Sequence, residues 1–154
     1  MAAITVQLVG LDQLKRKLKP KLYEKAVANL MEDVAIIGER TAKQRAPRDT
    51  GALKRSIHSA AKPTSARVFS NLNYAVPVEY GRGRRKRMPP PNALSGWLRR
   101  HGIPASAAFV VARSIGRRGI KGRFFMKAAV DAINMKTPRL IKVASGAIAK
   151  KWSD

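Results

Sequence analysis

The feature that most constrains this chain is a long helical pattern, Leu22–Arg45, that ends in a corner and gives way to strand-like sequence. At about 100° per residue, Tyr23, Ala26, Val27, Leu30, Val34, Ile37 and Thr41 share one face, with Lys25, Glu32, Glu39 and Lys43 opposite. Pro47 disfavours helical backbone at Ala46, which predicts the helix end there. Asp49 or Thr50 can then accept a hydrogen bond from a backbone N–H two or three residues on, a helix-start signal. Gly51 lets the backbone come close to a neighbour, Leu53 supplies an apolar anchor, and Ser56 opens the strand-rich part.

Around this corner the remaining elements read more briefly. Ile4–Val9 alternates as a first strand, and Leu11, Leu14 and Leu18 give a short basic amphipathic helix. Pro20 suits the first turn of the long helix. Ser56–Lys62 and Ala66–Ser70 read as a hairpin around a three-residue turn, Pro63-Thr64-Ser65. Tyr74–Gly81 contains Pro77, so it is an edge segment or a short helical turn. Arg82–Arg87 followed by Pro89–Pro91 reads as a loop that packs no core, because like charges repel and proline favours extended backbone. Helices are expected over Ala93–His101, Ala105–Ile115 and Phe124–Ile133, and a last one capped by Thr137 with Pro138 at its first position. The whole is one domain, 1–154, with a basic loop at 81–91 and a helical extension at 138–152.

Charge then limits what such a fold can meet. The 32 Lys and Arg against 9 Asp and Glu leave a formal net charge of +23, and the pI is near 11.6. Residues 1–79 hold 14 basic and 7 acidic side chains, whereas residues 80–154 hold 18 and 2. Such an excess predicts a polyanionic neighbour: nucleic acid, an acidic protein face or anionic lipid. Four of the acids, Glu24, Glu32, Asp33 and Glu39, lie on the long helix. They are either its solvated face or, for Glu32 and Glu39, contacts to the basic half of another copy.

The residues for catalysis are missing. There is no cysteine, and the two histidines, His58 and His101, have no carboxylate near them in sequence. Metal sites and Ser–His–Asp arrangements need more than that, so no enzyme, metal or cofactor is expected. Glu79 is a lone acid and reads as a structural ion-pair partner. Ile115-Gly116-Arg117-Arg118-Gly119-Ile120 matches the basic GXXG loop of KH domains, but the sequel is helical where that domain has a strand. A flexible basic connector, with Arg117 and Arg118 free to touch phosphates, is the better reading. No signal peptide and no membrane-length apolar run occurs.

Four landmarks together resemble the tail-completion, or head–tail joining, proteins of the neck of long-tailed bacteriophages. They are Gly10-Leu11-Asp12-Gln13-Leu14 after a strand; Ala46-Pro47-x-Asp49-Thr50-Gly51-x-Leu53-x-x-Ser56-Ile57; Asn73-Tyr74-Ala75-x-x-Val78-Glu79-Tyr80-Gly81; and a Gly-rich connector leading into an aromatic-led helix, Gly119–Ala129. The chain departs from the family pattern at Arg123-Phe124-Phe125, where members commonly carry Pro before the aromatic, and in the density of the run Arg82–Arg87.

The resemblance implies an α+β fold, a long N-terminal helix packed on a small antiparallel sheet with additional C-terminal helices. It also implies a six-fold homo-oligomeric ring between the head connector or stopper and the tail terminator or tail tube, through which DNA passes. Virion location, synthesis in the host cytoplasm and no membrane contact follow from it. Within that picture Arg82, Arg84, Arg85, Lys86 and Arg87, with Arg117 and Arg118, face DNA or an acidic neighbouring ring. Pro47, Asp49, Thr50, Gly51, Leu53, Ser56, Tyr74, Ala75, Glu79 and Gly81 are the structural motif. The competing reading is a free-standing basic nucleic-acid-binding module.

Overall fold

The computed structural model of the chain describes residues 2–7 and 20–153. The elements run β1 (Ala2–Gln7), α1 (Pro20–Arg45), α2 (Ala52–Ser56), β2 (Ile57–Lys62), β3 (Ser65–Ser70), α3 (Ala75–Tyr80), β4 (Gly81–Arg82), α4 (Ser95–Arg100), α5 (Ala108–Arg118), β5 (Ile120–Lys121) and α6 (Phe125–Ser153). Short 3-10 turns, Pro91–Leu94 and Ala105–Ala107, precede α4 and α5. The expected basic helix around Leu11–Leu18 and the Gly10–Leu14 landmark lie outside the described residues, as do Leu8 and Val9 of the expected first strand. The chain divides into two compact units, one of residues 76–124 and one of the rest.

The larger unit has the α+β architecture of a long helix on a small antiparallel sheet. Strand order is β1-β3-β2, with β3 central and both pairings antiparallel. Side-chain alternation sends Ala66, Val68 and Ser70 of β3 inward, where all three are buried. On the outward face His58 lies opposite Phe69, and the Arg67 guanidinium sits 5.4 Å from the Phe69 ring centre. The hairpin turn is shorter than the sequence suggested. Lys62 pairs with Ser65, leaving Pro63 and Thr64 alone in a two-residue turn.

Helix α1 packs on β2 and β3 and also on α6, so the arc it buries is wider than one face. Tyr23, Val27, Leu30 and Val34 are buried as the periodicity requires, and Met31, Ala35 and Ala42 join them. Gly38 marks the tightest approach. A Cβ there would stand 2.8 Å from Val68 Cγ2 and 3.1 Å from Ile133 Cδ1. A mid-helix glycine costs about 1 kcal/mol against alanine, and here it lets helix, sheet and α6 close on one another.

The C-terminal segment corrects the expectation of two helices. Phe125–Ser153 is one helix with Pro138 inside it. Thr137 does not cap a new start; its hydroxyl donates back to the Ile133 carbonyl at 2.8 Å. Pro138 cannot donate to the preceding turn, a defect of about 3 kcal/mol in a helix interior. Leu140 and Ala144, beyond the proline, still pack against the core of Leu30, Met31, Val34, Ala35, Ala66 and Ile133, and that burial holds the helix together across the defect. The expected extension at 138–152 is therefore the second half of α6.

In the smaller unit α5 packs on both 3-10 turns, and α4 does likewise. Leu98 and Ala112 are buried. Pro90 and Pro104 hold extended backbone just before those turns, and each expected helix opens as a 3-10 turn before its α-helical part.

Candidate functional site

The corner after α1 is a hydrogen-bonded joint. Ala46 N–H still bonds Ala42 at 2.8 Å, Pro47 ends the helix, and Gly51 caps α2 with φ 76°. Thr50 Oγ1 accepts the Ala52 N–H at 3.3 Å, while its carbonyl accepts the Arg55 guanidinium at 3.2 Å. Leu53 and Ile57 anchor the joint in the core. Ser56 Oγ donates to the Leu53 carbonyl and shares a hydrogen bond with Ser70 Oγ, both at 2.8 Å, and Ser70 Oγ also accepts the Leu72 N–H. Sequence reasoning missed Ser70. Its one signal is a polar residue at an inward position of an apolar strand.

The second motif ends in a crossing of two backbones. Gly81 and Arg82 pair antiparallel with Lys121 and Ile120, and the Val78 and Glu79 carbonyls accept the N–H groups of Arg123 and Phe124 at 2.9 and 3.1 Å. Glycine is required in β4 and just before β5. Gly81 (φ 80°) and Gly119 (φ 73°) are in left-handed backbone, and a Cβ on either would collide with the opposite main chain. Phe124 also has a positive φ of 50°, a costly conformation for a bulky residue. Glu79 is buried to 2% exposure, and no buried side-chain polar atom among the described residues lacks a partner. Ala75 is fully buried, and Tyr74 is exposed.

This crossing places the basic runs. The backbone N–H of Arg85 donates to the Arg117 carbonyl at 3.3 Å, tying the loop after β4 to the last turn of α5. Main chain and side chain of Lys86 and Met88 pass over Gly116, where a Cβ would meet them at 3.2–3.3 Å. The Arg82 guanidinium donates to the Arg87 carbonyl and closes the loop on itself. Arg82–Arg87 is the exposed loop expected, tied down by these bonds. One expectation changes: Gly116-Arg117-Arg118 is the end of a helix rather than a flexible connector. Arg84, Arg85, Lys86, Arg87, Arg117 and Arg118 are all exposed and come together; Arg82 is half-buried and turned to the loop.

The two acids singled out on α1 differ. Glu32 is exposed and has no ionic partner among the described residues. Glu39 has one oxygen 2.5 Å from Lys43 Nζ and the other 2.5 Å from Ser59 Oγ. Burial pushes its carboxyl up, but the bonds from Lys43 and Ser59 and the Lys43 charge outweigh that and hold it below its ordinary value.

His58 packs against Phe69 and His101 stacks on Trp97 at 4.2 Å. Among the described residues no group of His, Cys, Asp and Glu is placed to hold a metal, and no helix is long and apolar enough to cross a membrane. No curated protein and no solved structure gives a match. Residues 11–81, which contain the corner and the segment up to the backbone crossing, match the family model described as "HK97-gp10_like: Bacteriophage HK97-gp10, putative tail-component". The chain thus resembles the head–tail joining and tail-completion proteins of phage, and over residues 11–81 it is similar to the HK97-gp10-like family.

Proposed function

We propose that the protein is a structural component of the phage virion that forms a closed, six-fold ring in the neck. It joins the head connector to the tail terminator or tail tube and lets the genome pass. The observation that carries this reading is the family match over residues 11–81. The two acid-poor basic runs brought together beside β4 and β5 support it, because a ring around a genome needs a surface that tolerates or attracts phosphate. A ring of identical subunits presents one patch to a different patch on the next copy. Glu32, exposed on α1 and without an ionic partner among the described residues, is the acid we assign to such a contact; Glu39 is engaged within its own chain. Exposed pairs contribute about 0–1 kcal/mol each, so Glu32 sets register rather than affinity. The corner of Pro47, Asp49, Thr50 and Gly51 serves as a structural joint with no substrate.

Electron microscopy of particles made without this gene tests the proposal. Filled heads and separate tails are the expected products. Complete, infectious virions would refute it. A free-standing nucleic-acid-binding protein would instead remain monomeric beside purified neck and tail-tube proteins.

A further inference from the structure

We infer that Arg84, Arg85, Lys86, Arg87, Arg117 and Arg118 form a single surface for the phosphodiester backbone of duplex DNA, read without regard to sequence. The inference rests on the neck reading only for the source of the DNA; the binding itself is a property of the chain.

Three observations separate phosphate from an acidic protein face. First, the unit of residues 76–124 has one acid, Glu79, and that acid is buried. Its exposed surface therefore shows one sign of charge. A surface of one sign attracts an acidic protein patch as well as phosphate, but it carries no alternation of charge that would fix a protein partner's register. A polymer of evenly spaced phosphates needs no register. Second, five of the six side chains are arginine, whose planar fork matches phosphate oxygens in pairs. Third, the six are held on fixed main chain. Arg85 takes a left-handed φ of 57° and bonds Arg117, and Arg82 closes the loop through Arg87. Held cations lose less side-chain and loop freedom on binding than a loose tail does. All six are cations, the composition of a surface that tracks a phosphate backbone rather than one that stacks bases.

The test uses the purified full chain and a short fluorescent duplex of random sequence, titrated between about 50 and about 200 mM salt. Six neutralised phosphates predict that log K falls by about 5 per log unit of salt. Arg117→Gln with Arg118→Gln, which leaves the loop untouched, lowers that slope by about 2. Arg84→Ser, Arg85→Asn, Lys86→Ser and Arg87→Ser together lower it by about 4; asparagine at 85 tolerates the left-handed backbone. Lys62→Gln on the β2–β3 hairpin leaves the slope unchanged. An unchanged slope in the Arg117/Arg118 variant overturns the inference. So does tighter binding of a single strand, or of poly-glutamate at equal charge, the latter marking an acidic protein as the partner. Binding is read on the purified chain and neck assembly on virions, so either proposal can fail while the other stands.

Discussion

The backbone N–H of Arg85 bonds the carbonyl of Arg117 at 3.3 Å, joining two arginine-rich runs that lie far apart in sequence. The bond is possible because β4 and β5 approach closely at Gly81 in the first and at Gly119, just before the second. Local backbone chemistry thereby decides where charge is displayed.

Gly119→Ala tests that crossing directly. Gly119 holds φ 73° and ψ −168°, a region open essentially to glycine alone, and a side chain there costs on the order of 1–3 kcal/mol or more. Hydrogen exchange should show the amides of Arg85, Arg123 and Phe124 losing protection while those of α1 keep theirs. Unaltered protection of the three would mean that the crossing does not depend on glycine.

Gly38→Ala sets helix propensity against packing. Propensity favours alanine by about 1 kcal/mol, but the new Cβ would press on Val68, and overpacking costs about 1–3 kcal/mol. The substitution should lower stability in the native background and raise it when Val68 is also alanine. A denaturant double-mutant cycle reads this coupling, and additive effects would remove Val68 as the cause.

Ser70→Ala leaves the Ser56 hydroxyl and the Leu72 N–H without their shared partner at a buried position. A loss of about 1–3 kcal/mol is expected. Adding Ser56→Ala should cost less than the sum of the two single changes. Thermal or denaturant unfolding of the three variants measures it.

Glu39 predicts a pH dependence. Its folded pKa lies below the ordinary 4.5, so its contribution is complete above 4.5 and is lost as pH falls through the lower, folded value. Glu39→Gln should reduce stability at neutral pH by about 0.5–1 kcal/mol, the scale of a partly exposed pair. Well below pH 4.5 the native and variant proteins should converge. A difference that persists in acid would assign the effect to shape rather than charge.

How far the sequence carried depends on which groups made the structure. The long helix and its end were legible because apolar period and Pro47 act locally, and the sheet because its strands alternate. The turn was misread by one residue: Pro63, Thr64 and Ser65 are all turn formers, and only the pairing of Lys62 with Ser65 tells them apart. Pro138 carried a true local signal that burial of Leu140 and Ala144 against α1 overrode. The loop was legible as an exposed loop, but its ties were not, since they are a main-chain N–H from Arg85 and a main-chain oxygen of Arg87. Side-chain types do not announce backbone partners.

The backbone crossing also bears on how such a chain can vary. Entry and exit of residues 76–124 are zipped together by the bonds from Arg123 and Phe124 to Val78 and Glu79, and the family match ends at Gly81, the first residue of β4. A segment whose two ends are already fastened side by side can lengthen, shorten or be traded for another without asking the remaining chain to move. Residues 83–118 thus form a segment closed at its base, and changes to the cationic display they carry leave the closing bonds of Val78 and Glu79 in place.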